Sequence, residues 1–280
     1  MTATNPHIPR ILLVFDFDRA LATDSIDAIL AAYDMSLHAW ERDWEEPLGD
    51  GWDDIIRRGQ ALLNFARDRD RPLSDAVMAA AAAHMDLYPG VMEMPDRLRA
   101  TVVEMADGIA LDFVVLSSGF DEIIAASGIG KAFGRILAGG FHTGPDGAYT
   151  CVKRIIGHPE KALYLAALGK GADVDGQNCP ERAGDPVAKA DMHGPFDQMI
   201  YRGDGLSDLQ AFAFLTEAGG LAIALDKGGA FDVYDQTEAQ RVDDVAPPDY
   251  SEGTELLEVL RHAVCACAHR IAIRRRGDGQ

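Results

Sequence analysis

The residues best suited to chemistry are two aspartates, Asp16 and Asp18, that follow an apolar run from Ile11 to Phe15. In extended backbone, side chains two positions apart share a face, although a turn after Phe15 changes this. Carboxylates so close repel each other unless a cation or a shared proton lies between them. A hard ion such as Mg²⁺ prefers oxygen ligands, and such a pair suits holding it against a substrate phosphate. The alternative is a strand end with solvated acids, and D-x-D by itself does not decide between the two.

Two later stretches repeat the design. Residues 113–120, FVVLSSGF, run an apolar segment into Ser117, Ser118 and Gly119. Hydroxyls and backbone N–H groups just ahead of a helix suit an anion. Residues 198–208, QMIYRGDGLSD, run another apolar segment into Asp204 and Asp208, with Gly203 and Gly205 free to turn tightly beside an ion.

The elements that must position these groups follow from hydrophobic periodicity. Ile11–Phe15 reads as a strand buried on both faces, as in a parallel sheet. Open α/β sheets place ligands at the C-terminal edges of such strands. Asp24 or Ser25 caps a helix from about Ile26. Residues 26–107 read as mostly helical, with the loop WEEPLGDGWDD inside and a break at Pro89-Gly90. A second strand covers Asp112–Leu116 and a helix Asp121–Ala126. Asp146-Gly147 marks a hairpin. His158–Leu168 is a helix with Pro159 in its first turn. Residues 169–197 form a long Gly-, Asp- and Pro-rich insertion before the third motif strand, which leaves open whether it borders the active-site mouth. A helix at Leu209–Thr216, a strand at Leu221–Leu225, an irregular VDDVAPPDYSEG stretch and a helix over Thr254–Ile273 complete the chain. The closing RIAIRRRGDGQ is a small basic patch that reads as a solvated tail rather than a binding site.

The ordered set DFD, LSSG, GDGLSD resembles the haloacid dehalogenase-like hydrolase superfamily, in its phosphatase branch, over most of residues 10–226. The resemblance implies a doubly wound, Rossmann-like α/β core of residues 1–24 and 91–280 and a helical cap of residues 25–90. It implies a Mg²⁺-dependent hydrolysis of a small phosphorylated metabolite. Asp16 is then the nucleophile, forming an aspartyl-phosphate. Asp18 is the general acid and base, and gives its backbone carbonyl to the metal. Ser117 binds a phosphate oxygen, aided by Ser118 and Gly119. Asp16, Asp18, Asp204 and Asp208 form the metal set, with Asp208 orienting metal-bound water or the catalytic lysine. That lysine is Lys161, near the start of the helix before GDGLSD, or else Lys153. Arg19 and Ala20 depart from the small residue and Thr or Val usual after the second aspartate, so Arg19 either contacts phosphate or crowds the site. Arg57 and Arg58 of the cap either bind a substrate anion or are solvated. Phosphoryl transfer to another acceptor, and a binding or regulatory protein with little turnover, are the competing readings.

The whole chain sets limits. Its 280 residues are 48% hydrophobic and 25% charged, which suits an ordinary globular protein. A formal net charge of −19 argues against general nucleic-acid or anionic-membrane binding. A local metal and a few basic residues still admit an anionic substrate. No signal-like segment opens the chain and no run of about 18 apolar residues suggests a span. Cys151, Cys179, Cys265 and Cys267 match no metal pattern and read as free thiols of a cytoplasmic protein, monomeric or homodimeric.

Overall fold

The computed structural model describes residues 8–173, 181–225 and 242–277. Its centre is a seven-stranded sheet in the order β4-β3-β2-β1-β5-β6-β7. The strands are β1 (Arg10–Phe15), β2 (Ala110–Phe120), β3 (Arg135–Thr143), β4 (Tyr149–Arg154), β5 (Met199–Gly203), β6 (Leu221–Leu225) and β7 (Asp244–Ala246). All neighbours are parallel except β3 and β4, the hairpin at one edge. Its turn carries Gly147 at φ 84°.

Parallel strands need a crossover between them. The helices are α1 (Ser25–Ala31), α2 (Leu37–Trp40), α3 (Asp54–Asp68), α4 (Asp75–Ala82), α5 (Met94–Met105), α6 (Asp121–Ala126), α7 (His158–Lys170), α8 (Leu209–Glu217) and α9 (Glu255–Gly277). Alternation along β1 shows how the sheet is covered. Ile11, Leu13 and Phe15 enter one core with Leu98 of α5 and Leu257, Leu260 and Val264 of α9. Leu12 and Val14 enter a second core with Leu165 of α7 and Phe212 of α8. This is the doubly wound α/β class, and it explains why β1 is apolar without interruption.

The helical insertion between β1 and β2 contributes Tyr33, Trp40, Leu62 and Phe65 to the first of these cores. Contact with the sheet is close. A Cβ on Gly59 of α3 would stand 2.4 Å from Val152 Cγ2 of β4, so only glycine lets these elements approach. Asp24 caps α1 by accepting the Ile26 N–H at 3.0 Å. After α2 the chain widens into a π-helical turn, Glu41–Glu45, followed by a 3₁₀ turn, Glu46–Leu48.

Several boundaries differ from the expectations. β2 runs on through Ser117–Phe120, because Phe120 resumes pairing with Gly139 past an irregularity. The VDDVAPPDYSEG stretch holds β7, which pairs with β6. Arg270 and Arg274 belong to α9 and pair with Asp197, so this part of the basic end is packed on the fold. Of the 169–197 insertion, residues 174–180 and with them Cys179 lie outside the described residues. The part that is described sits away from the motif edge. His193 Nε2 lies 3.0 Å from Asp112 at the start of β2, and Gly194 packs on Leu12. It therefore does not border the active-site mouth. Among the described cysteines none is bonded to another.

Candidate functional site

The three motif strands β2, β1 and β5 are neighbours with β1 in the middle. Parallel register therefore carries Ser117, Asp16 and Asp204 to one edge. Asp16 lies at the end of β1, and its N–H donates to the Arg202 carbonyl at 2.8 Å. The Phe17 N–H donates to Asp16 Oδ1 at 2.8 Å.

Lys161, on the first turn of α7, is wholly buried. Its Nζ lies 2.9 Å from Asp16 Oδ2 and 2.7 Å from Asp208 Oδ1. Burying an ammonium costs several kcal/mol unless its partners are close and well placed, and here both are. Burial pushes its pKa down, but Asp16 and Asp208 outweigh that and raise it, so it stays charged. Lys153 lies on β4, which pairs only with β3 at the sheet edge, and does not join this group.

Asp208 is saturated. Besides Lys161, Oδ1 accepts from the Tyr201 hydroxyl at 2.5 Å, and Oδ2 accepts from the Asp204 N–H at 2.9 Å and the Ser207 hydroxyl at 3.3 Å. Burial pushes its carboxyl up, yet Lys161 and these donors hold it below the usual range. Gly203 is required beside it: a Cβ there would meet Asp208 Oδ2 at 2.2 Å.

Asp16, Asp204 and Asp208 bring one carboxylate oxygen each within 4.8 Å of one another. Burial drives Asp16 up to about 7, against the pull of Lys161. The one buried ammonium pairs with Asp16 and Asp208 and not with Asp204, which leaves a negative excess among the three acids. An all-oxygen donor set of this charge fits a hard divalent cation. Asp204 is the freest of the three acids, with Ser207 on Oδ1 at 3.0 Å and Arg19 Nη1 3.9 Å from Oδ2.

Asp18 stands apart from the three. Its carboxylate accepts the Ser25 N–H at 2.8 Å and the Ser25 hydroxyl at 3.1 Å. Burial, with Asp24 beside it, raises it to about 6. The side chain is thus held by Ser25 rather than gathered with the other acids. Ser117 is buried and its Oγ accepts the Gly119 N–H at 3.0 Å, so that N–H is already engaged within the loop. Ser118 Oγ is buried with no hydrogen-bond partner. Arg19 adopts φ 60° and donates to Asp24 at 2.9 Å. Its side chain is more than half exposed and lines the same cavity as Asp16 and Asp204.

A cavity of about 330 Å³ joins these groups to the helical insertion. Asp16, Asp18, Ser117 and Asp204 line its floor, and Glu45, Arg57 and Arg58 its far wall. Sequence reasoning missed Tyr201, Ser25, Ser207 and Glu45. Ser25 had a signal in the helix start, whereas Tyr201 and Glu45 had none.

A scan of protein-family models finds no match, and a search of curated proteins finds none. Solved structures do match. The chain has the haloacid dehalogenase-like hydrolase fold. A phospho-aspartyl intermediate analogue of phosphoserine phosphatase aligns at TM-score 0.56 and 17% identity, covering 90% of this chain and 98% of that one. A probable phosphoserine phosphatase from Vibrio cholerae aligns at 0.57 and 15%, covering 96% and 69%. A HAD family hydrolase from Salmonella enterica serovar Typhi aligns at 0.54 and 16%, covering 85% and 68%. Identities this low show the fold alone. No helix among the described residues is long and apolar enough to cross a membrane.

Proposed function

We propose that the protein is a Mg²⁺-dependent phosphomonoester hydrolase of the HAD superfamily that acts on a small phosphorylated metabolite through Asp16. The observation that carries this is Lys161 Nζ between Asp16 and Asp208, with Asp204 beside them. A buried ammonium between two carboxylates, with a third acid beside them, suits a nucleophile that must approach a dianionic ester.

Asp16 attacks phosphorus, and the bond from phosphorus to the alcohol oxygen breaks. Asp18, protonated, gives its proton to the leaving oxygen. Asp18 then takes a proton from water, whose oxygen attacks phosphorus and releases phosphate and free Asp16. Lys161 offsets charge on Asp16 and the phosphoryl oxygens, and Ser117 offers its hydroxyl proton to one of them. Asp208 orients Lys161. Asp16 and Asp204, with the Asp18 carbonyl, would hold Mg²⁺, which supplies charge neutralisation at the phosphoryl group. The insertion of residues 25–90 serves as the cap that encloses the substrate and limits its size.

The test is hydrolysis of a generic aryl phosphate, with and without Mg²⁺, by the protein and by Asp16→Asn. Metal-dependent turnover that Asp16→Asn abolishes is expected. Equal turnover by both proteins would overturn Asp16 as nucleophile.

A further inference from the structure

The chain enters and leaves the helical insertion at one place. Ala22 pairs with Leu87 in an isolated antiparallel bridge. The Thr23 N–H donates to the Asp86 carbonyl at 2.9 Å, and the Tyr88 N–H to the Leu21 carbonyl at 2.9 Å. The outgoing side of this crossing is also the turn that carries Asp18. There the N–H groups of Ala20, Leu21 and Ala22 donate to the Phe17 carbonyl at 3.2, 2.8 and 3.1 Å. The Arg19 N–H donates to the Ala22 carbonyl at 2.7 Å, with the Arg19 backbone at φ 60°. A residue other than glycine is held in that left-handed conformation by its surroundings, not by its own preference. The Ala20 side chain offers the turn no hydrogen bond.

A residue from the far end of the chain braces both sides of the crossing. Tyr250, between β7 and α9, is wholly buried. Its hydroxyl donates to the Ala20 carbonyl at 2.7 Å, and its N–H to the Pro89 carbonyl at 2.8 Å. Its ring stands edge-on to Phe15, the last residue of β1, with centroids 6.3 Å apart. Gly90, at φ 76°, fits so closely that a Cβ there would lie 2.4 Å from the Tyr250 carbonyl carbon. Arg97 of α5 donates to the Tyr250 carbonyl at 2.9 Å. Arg202, paired with Phe15 in the sheet, is a neighbour of the phenol: burial pushes Tyr250 up to about 12, and Arg202 pulls against it. Arg202 Nη1 in turn donates to the Gly203 carbonyl at 2.8 Å, next to Asp204. Tyr250 is thus fixed from several elements, and it passes that rigidity to the Ala20 peptide.

We propose that Tyr250 is a positioning residue for the catalytic turn: by fixing the Ala20 carbonyl, its hydroxyl places Asp18, whose carboxyl serves as the acid and whose carbonyl would hold Mg²⁺. The proposal deepens the phosphatase reading above and rests on it. Asp18 and Ala20 lie in one tight turn, so a shift of the Ala20 peptide shifts Asp18. Small displacements of groups that ligate a metal or carry a proton are felt strongly in affinity and rate. The Tyr250 N–H on Pro89 ties the return strand to the same point, so the turn and the base of the insertion are set together.

The experiment compares the protein with Tyr250→Phe and Tyr149→Phe. Tyr250→Phe keeps the ring and the backbone bonds and removes the hydroxyl. Tyr149→Phe is the control: it removes a hydroxyl that β4 donates to Asp75 of α4 at 2.6 Å, a bond of the same kind that does not touch the turn. Mg²⁺ affinity is read by calorimetry, and kcat and KM on an aryl phosphate at saturating Mg²⁺. Near-ultraviolet circular dichroism confirms that each protein is folded at the working temperature, so lost stability does not mimic the effect. Tyr250→Phe is expected to weaken Mg²⁺ binding and to lower kcat, each by about tenfold or more, with KM little changed. Tyr149→Phe should leave affinity and kcat within about twofold of the parent. Unchanged Mg²⁺ affinity in Tyr250→Phe, or an equal loss in Tyr149→Phe, overturns the positioning role. No Mg²⁺ binding by the parent protein overturns it together with the phosphatase reading. Mg²⁺ affinity that Tyr250→Phe weakens and Tyr149→Phe does not, with no ester hydrolysed by the parent, keeps Tyr250 as the residue that sets the metal-binding turn and sinks the phosphatase reading.

Discussion

The Tyr201 hydroxyl donates to Asp208 Oδ1 across 2.5 Å, on the same oxygen that accepts from Lys161 Nζ at 2.7 Å. All three side chains are fully buried. Tyr201→Phe removes that donor and keeps the ring. A hydrogen bond to a charged acceptor contributes about 1.5–3 kcal/mol, and the variant is expected to lose that much in urea unfolding. Lys161 still bridges the acids, so kcat should fall only several-fold. Unchanged unfolding would remove Tyr201 from the support of Asp208.

Metal and proton should compete at Asp16. Its folded pKa of about 7 exceeds the 3.8 of the free group. Such a raised carboxyl favours folding below the unfolded value and loses that contribution as pH rises through the folded value. Mg²⁺ binds the ionised form. The melting temperature should therefore rise more with Mg²⁺ at about pH 8 than at about pH 5. Asp204→Asn should remove most of the rise. A shift of equal size at both pH values would separate metal binding from Asp16.

Ser25 tunes the proposed acid. Burial and Asp24 raise Asp18, while the Ser25 N–H and hydroxyl pull it back to about 6. Ser25→Ala keeps the N–H and loses the hydroxyl, so Asp18 should hold its proton to higher pH. A general acid must start protonated, and the alkaline limb of kcat should move upward by a fraction of a pH unit to about one unit. A limb that stays in place would assign it to another group.

Gly203→Ala tests the packing behind the metal acids. The added methyl meets Asp208 Oδ2 at 2.2 Å, against a carboxylate held by five donors. Overpacking of this kind costs about 1–3 kcal/mol, and displacement of Asp208 should lower kcat by well over tenfold. Thermal melting and kcat measured together check this. Full activity would mean that Asp208 tolerates being moved.

The sequence by itself determined the sheet and its chemical edge. An uninterrupted apolar run such as Ile11–Phe15 has one economical solution, a strand covered on both sides. Three such runs that end in Asp16, Ser117 and Asp204 must end together once they are parallel neighbours. Helix α1 with a cap at Asp24 or Ser25, the β3–β4 hairpin and α7 were legible for the same local reasons of period, cap and turn. Boundaries at β2 and β7 were not, because pairing with Gly139 and with β6 extends strands where local composition gives no cue.

Tertiary structure alone decided the contacts that cross the chain. Lys161 over Lys153 depends on which helix face turns toward β1. Tyr201 reaches Asp208 because alternation along β5 points it to the α7 side. Glu45 meets Arg57 and Arg58 only because a π-helical turn delivers it to the cavity wall. Arg270 and Arg274 find Asp197 by packing of α9 against the sheet. Periodicity specifies which face of an element is buried, but the partner it meets there depends on distances between elements, and those are set by the packing of the whole core.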